Sequence, residues 1–97
     1  MTIGDVISGM STVLSTQSLS VQPISGTSQW TIHNIYIPQF STCEIYRSTS
    51  ADDILILTTS QSLLSYTFHC TNTYYIKIKN IGTGSIVIGY DGVTAKE

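Results

Sequence analysis

LLSYTFHCTNTYYIKIKNIGTGSIVIGY, running from Leu63 to Tyr90, contains three runs of alternating apolar and polar residues joined by short turns. Leu64, Tyr66, Phe68 and Cys70 share one side of the first run. Tyr74, Ile76 and Ile78 share one side of the second, and Ile86, Ile88 and Tyr90 one side of the third. Successive side chains on a strand point to opposite faces, so this period of two predicts strands. The opposite phases carry Ser65, Thr67 and His69, then Tyr75, Lys77 and Lys79, then Val87, Gly89 and Asp91, groups that mostly tolerate water. One face is therefore core and the other surface. Thr71-Asn72-Thr73 and Gly82-Thr83-Gly84 are the turns, and the whole reads as the end of an antiparallel sheet.

Upstream of this unit, Ile54 to Thr58 (ILILT) is a continuous apolar run of strand length, as expected for a strand covered on both faces. Thr42 to Ser48 (TCEIYRS) places Cys43 and Ile45 inward and Glu44 and Tyr46 near solvent, and the TSADD segment after Ser48 is a turn. From Gln29 to Ile37 (QWTIHNIYI), Trp30, Ile32 and Tyr36 alternate with residues that also become apolar at Ile35, which predicts a central strand stopped by Pro38. Phe40 then falls at the loop base as a core plug. Leu19 to Ile24 (LSVQPI) is a short strand that Pro23 ends or confines to an edge, followed by a turn over SGTS. The count is about seven strands at regular spacing, the pattern of an all-β fold built as a single antiparallel β-sandwich of jelly-roll type. Its predicted inward set is Trp30, Ile32, Ile45, Ile56, Leu64, Phe68, Ile76, Ile78, Ile86 and Ile88.

Residues 1–18 differ from the rest. Ile3, Val6, Ile7, Met10, Val13 and Leu14 would make one stripe on a helix, with Asp5 favouring its N-terminal end. Gly9 and the Ser/Thr content work against a helix. The chain therefore divides into an N-terminal amphipathic helix or arm, 1–18, and a β-sandwich domain, 19–97. The N-terminal segment is either a helix or strand packed on its own domain or an arm that docks on a neighbouring subunit through Ile3, Val6, Ile7 and Met10. It has neither the basic start and apolar core of a signal peptide nor the length to span a membrane.

With 97 residues the chain holds one core, and only 10% of them are charged against roughly 25% in an average soluble domain. Four basic residues against six acidic ones argue against nucleic acid, whose phosphates need clustered Lys or Arg. So few carboxylates also make stability weakly dependent on pH. Little like-charge repulsion keeps copies apart, which suits a homo-oligomer or larger assembly. Cys43 and Cys70 lie in phase with inward residues, without a CxxC or a His at ligand spacing. They read as buried thiols, with a disulfide across the core as the alternative, and no metal or other cofactor is implied.

No catalytic set emerges. Asp52-Asp53 sits in a turn, where Asp caps its own backbone. His33 and His69 have no orienting third group, and Gly82-Thr83-Gly84 joins strands without a following helix to present to a phosphate. The outward phase of Tyr46 and Tyr75, amid Ser, Thr and Asn, marks them as an interaction surface for protein or carbohydrate, or as strand tyrosines packing their rings against neighbours. The expectation is a protein that is not an enzyme.

CEIYRSTSADDILILTTSQSLLSYTFHCTNTYYIKIKNIGTGSIVIGYD, the last half of the chain, resembles the jelly-roll sandwich of bacterial pre-peptidase C-terminal domains and the related GOLD-type domains. Those modules share a strand, a polar turn, a buried aliphatic strand and a late Tyr-Tyr-Ile strand, here Tyr74-Tyr75-Ile76. The resemblance implies a non-catalytic accessory for adhesion or binding. The Ile/Tyr/Ser/Thr richness with few charges is also similar to small virion proteins of viruses that infect thermophilic archaea. Because nothing marks the chain for secretion, the leading expectation is a virion structural protein (capsid, turret or spike component) located in the virion. A cell-surface adhesion or carbohydrate-binding module is the alternative.

Overall fold

A computed structural model describes residues 4–24 and 28–96, the side chain of Lys96 excepted. The described residues contain eight strands and no helix: β1 Val6–Val13, β2 Ser18–Val21, β3 Gln29–Tyr36, β4 Cys43–Ser48, β5 Asp53–Thr59, β6 Phe68–Thr71, β7 Tyr75–Asn80 and β8 Ile86–Lys96. They form two four-stranded antiparallel sheets, sheet A in the order β1-β8-β3-β6 and sheet B in the order β2-β7-β4-β5. First pairs with last and the sequence continues inward: β1 with β8, β2 with β7, β3 with β6, β4 with β5. The chain is thus one long hairpin turning at residues 49–52 and wound so that its arms alternate between the sheets.

Between the sheets lies one core. Sheet A contributes Ile32, Ile35, Phe68, Cys70 and Ile88, and sheet B contributes Val21, Cys43, Ile45, Ile76 and Ile78. Trp30, Leu57, Ile86 and Tyr90 pack around its margin, with Trp30 and Tyr90 stacked at 6.4 Å between ring centres. The expected inward residues Ile76, Ile78 and Ile88 of β7 and β8 are inaccessible to solvent.

Of the alternatives for the N-terminal segment the strand is formed and the amphipathic helix is not: β1 raises the strand count from about seven to eight among the described residues. Val6, Ile7, Thr12 and Val13 are β-branched and Gly9 is a poor helix former, so pairing with β8 outcompetes the helical stripe. Ile7 and Val13 face the core, whereas Val6 and Met10 point outward at 77% and 71% exposure. The expected docking stripe is therefore split between two faces. Ile3 lies outside the described residues, as does most of the SGTS turn.

Other departures share one cause, a local change of phase. Ser65 has φ 63°, in the left-handed region, which breaks the alternation between Leu63 and Phe68. Leu63 is buried through a bridge to Ile35, and Leu64, expected inward, is 58% exposed. Tyr66, expected inward, is exposed as well, its ring stacked on Phe68. In β3 the register shifts between Ile32 and Asn34, so Ile35 and Ile37 rather than Tyr36 turn to the core. That shift presses β3 onto β8 at Gly92, where a Cβ would meet the Thr31 carbonyl and lie 2.7 Å from Ile32 Cα, so only glycine fits.

In β5 a bulge opposite Ile45 and Tyr46 leaves Ile56 without a partner residue, and β5 is an edge strand rather than one covered on both faces. Ile56, expected inward, is 46% exposed beside exposed Ile54 and Leu55. Tyr74 and Tyr75 exchange the roles expected of them. Tyr74 closes the β6–β7 turn, where the Thr71 amide donates to its carbonyl at 2.7 Å, and it is exposed. Tyr75 is buried on the outer phase of sheet B in register with Ser48. Phe40, expected as a core plug, has φ 66° and is 94% exposed.

One buried polar group ties the winding together. Asn80, with no solvent exposure, donates from Nδ2 to the carbonyls of Val13 (3.0 Å) and Gly84 (2.7 Å) and accepts from the Gly82 amide at 2.9 Å. Its side chain thereby fastens the end of β1 in sheet A to the β7–β8 turn leaving sheet B.

Candidate interaction surface

On the outer face of sheet A, three strands bring together groups far apart in sequence. Asp91 of β8 lies in register between Ser8 of β1 and Asn34 of β3, and Gly89 lies between Met10 and Tyr36. Because Gly89 has no side chain, Met10 and Tyr36 lean over it, so that a Cβ there would sit 3.4 Å from Met10 Cε and 3.6 Å from Tyr36 Cδ2. The result is a shallow notch of about 290 Å³ lined by Ser8, Gly9, Met10, Tyr36, Tyr90 and Asp91. Exposed Val6 and Val87 flank it on the same face.

Asp91 is held rigidly. Asn34 Nδ2 donates to its Oδ1 at 2.7 Å and the Tyr36 hydroxyl donates to its Oδ2 at 2.6 Å. Asn34 is itself oriented by the Ser65 amide, which donates to its Oδ1 at 3.0 Å. The Tyr36 hydrogen bond first, then that from Asn34, holds the Asp91 carboxyl below the ordinary carboxylate range, and nearby His33 adds a smaller pull the same way. Reciprocally, that hydrogen bond to a carboxylate pushes the Tyr36 phenol up. The carboxylate is thus ionised at neutral pH, and a carboxylate offers about four acceptor sites, of which two are filled.

The charges of the two sheets differ. Arg47, Lys77 and Lys79 all lie on sheet B, where Arg47 donates to the His69 carbonyl and covers the Tyr74 ring at 4.5 Å. Lys77 pairs with Asp53 at 3.3 Å, and Asp53 is held below its ordinary value by the Ser48 hydroxyl first and Lys77 second. Among the described side chains, sheet A carries no lysine or arginine on its strands.

Of the residues expected to form an interaction surface, Val6 and Met10 border the notch, Ile7 is in the core and Tyr75 is buried. Tyr46 is half-buried, donates to Glu44 Oε1 at 2.6 Å, and its phenol is raised chiefly by that bond. Cys43 of β4 and Cys70 of β6 are both buried free thiols, each pushed up to about 11 by burial. No sequence pattern groups Asp91 with Asn34 and Tyr36; the one signal for them is the pair of glycines, Gly89 and Gly92, bracketing Tyr90-Asp91 within a strand. A second depression of about 350 Å³ lies at the sandwich end among Phe40, Thr42, Asn80 and the β7–β8 turn. Among the described residues there is no cluster of three or more His, Cys, Asp or Glu able to hold a metal, and no helix long and apolar enough to cross a membrane.

The fold and this face define the class: an eight-stranded, two-sheet antiparallel β protein with an exposed, partly apolar outer face. No family model matches the chain, and no curated protein matches it. Among solved structures it is similar to the Drosophila NLP-core, with TM-score 0.50 and 13% identity over 92% of this chain and 97% of that one. At that identity the likeness is one of fold. The NLP-core structure is described as giving insight into pentamer formation and histone binding. This finding corrects the expected role and place of the chain. A virion structural protein sited in the virion, and the alternative of a cell-surface adhesion or carbohydrate-binding module, are set aside, since the solved structure of similar fold is described for pentamer formation and histone binding.

Proposed function

We propose that this chain is a non-catalytic jelly-roll domain that assembles into a closed homo-oligomer and binds a basic protein of the histone kind. The observation that carries the reading is the two-way coverage of the NLP-core fold, 92% of this chain and 97% of that one, which leaves little of either chain outside the shared architecture. The surface supports it independently. Edge strand β5 exposes Ile54, Leu55 and Ile56, and although a bulge at Ile56 interrupts its free ladder, this apolar run is a surface that an oligomer would cover. A net charge of -2 with so few ionisable groups opposes neither self-association nor a cationic partner.

The test is titration of the full-length chain with purified core histones, followed by co-sedimentation at rising salt. A complex that forms at low salt and weakens as salt screens the charges supports the reading. No complex at any salt overturns it.

A further inference from the structure

We propose, resting on that reading, that the outer face of sheet A is where the basic partner docks, with one lysine or arginine side chain seated in the Asp91 notch. Three observations converge. The first is a carboxylate fixed by two hydrogen bonds, from Asn34 at 2.7 Å and Tyr36 at 2.6 Å, whose remaining acceptor sites are free to take a charge-assisted bond from an ammonium or guanidinium. Because Asn34 is in turn pinned by the Ser65 amide, the carboxylate does not need to reorganise to receive it.

The second is the wall of the notch. Met10 and Tyr36 close over Gly89, so a cation entering toward Asp91 passes a thioether and an aromatic ring, against which its alkyl stem can lie. The notch, about 290 Å³ and open to solvent, has room for one long side chain. The third is the distribution of charge. Arg47 and Lys77 of sheet B are engaged with the His69 carbonyl of β6, the Tyr74 ring and Asp53, so a second copy of this chain does not present them to the notch without breaking those contacts. A basic protein offers many such cations, whereas a second copy offers Lys79 alone among the described lysines and arginines, so the basic protein is the occupant. Beside the notch, β1 is an unpaired edge of sheet A, along which an extended basic segment can run with its alternate side chains facing Val6 and Met10.

The experiment uses the full chain and, as probe, a synthetic lysine- and arginine-rich histone-tail peptide, followed by isothermal titration and by amide shift mapping. The peptide should perturb Val6, Ser8, Met10, Tyr36 and Asp91, and a peptide with every Lys and Arg replaced by Gln should not bind. Asp91→Asn should weaken the basic peptide by about tenfold or more, the loss expected when a charged hydrogen-bond partner is removed. Asp53→Asn, which deletes one negative charge from sheet B, should leave affinity nearly unchanged. Met10→Lys, a change at an exposed rim position that the fold tolerates, should weaken binding to a similar degree. Equal effects of Asp91→Asn and Asp53→Asn, or shifts confined to sheet B, overturn the proposal. If intact core histones bind and Asp91→Asn does not matter, the docking site is wrong and the histone reading stands. If the peptide binds at the notch while core histones do not bind, the notch stands and that reading falls.

Discussion

Replacing Asn80 by Ala should destabilise the protein by about 2–4 kcal/mol, taking each of three lost hydrogen bonds at roughly 0.5–1.5 kcal/mol net. The bonds are those to the Val13 and Gly84 carbonyls and from the Gly82 amide, and truncation leaves these three backbone groups without their partner at a residue that is wholly buried. Asn80→Asp sharpens the argument. It keeps the shape but aims a carboxylate at two carbonyl oxygens, so the native state favours the protonated acid and the folded pKa rises above the unfolded value of about 3.9. A raised pKa gives stability that is fully present below the unfolded pKa and lost as pH rises through the folded one. The Asp variant should therefore be weak at neutral pH and recover toward wild type as pH falls toward 4, a trend absent from Asn80→Ala. Urea unfolding followed by tryptophan fluorescence reads both, with an unchanged m-value confirming that the unfolded state is not the source. An Ala variant within about 0.5 kcal/mol of wild type would refute the view that Asn80 fastens β1 to the β7–β8 turn.

Three further outcomes follow from the same structure. Ile76→Ala, at a residue without solvent exposure, should cost about 2–5 kcal/mol by leaving a cavity, whereas Lys77→Ala on the opposite phase should leave the urea midpoint almost unmoved; equal losses would show the phase of β7 to be wrong. Asp53 and Asp91 both have lowered pKa values, so their contribution is present above the ordinary aspartate value of about 3.9 and disappears as pH falls below it. The thermal midpoint should accordingly stay level from neutral to about pH 5 and drop below about pH 4, and a steep loss between neutral and pH 5 would contradict this. Cys43 and Cys70, pushed up to about 11 by burial, should react with an exchangeable aromatic disulfide at pH 8 only after unfolding, and rapid labelling of the native protein would show that one of them is accessible.

What could be read in the residues ended where the chain changed phase. Past Tyr75, the apolar residues of β7 and β8 keep one phase, so Ile76, Ile78 and Ile88 are legible as core. Between Leu63 and Phe68 the same alternation continues on paper, but the left-handed Ser65 resets it, and no residue type there announces the reset as glycine or asparagine would. The same holds for the register shift after Ile32, which makes Ile35 rather than Tyr36 the inward residue. β1 was ambiguous for a geometric reason: Val6-Ile7 and Val13-Leu14 are adjacent apolar pairs, which fit a helical stripe but on a strand place one member on each face. The aliphatic run of β5 does not reveal its exposure, because burial of an apolar strand depends on its place in the sheet order, and only the winding puts β5 at an edge. The notch was beyond reach for a related reason. Asp91 is 57 positions from Asn34 and 55 from Tyr36, and only the β3–β8 register, itself shifted by the irregularity after Ile32, brings them together.

The mass of the particle in solution tests the central claim most directly. Sedimentation equilibrium of the full chain, which weighs 10.6 kDa, should give a single assembled species at a whole-number multiple of that mass, with a five-chain particle the outcome that matches the NLP-core. The assembly should persist in high salt, since Ile54, Leu55 and Ile56 rather than ion pairs line the exposed edge. A species at the mass of one chain, at the highest concentration the protein tolerates and at both low and high salt, would contradict the account.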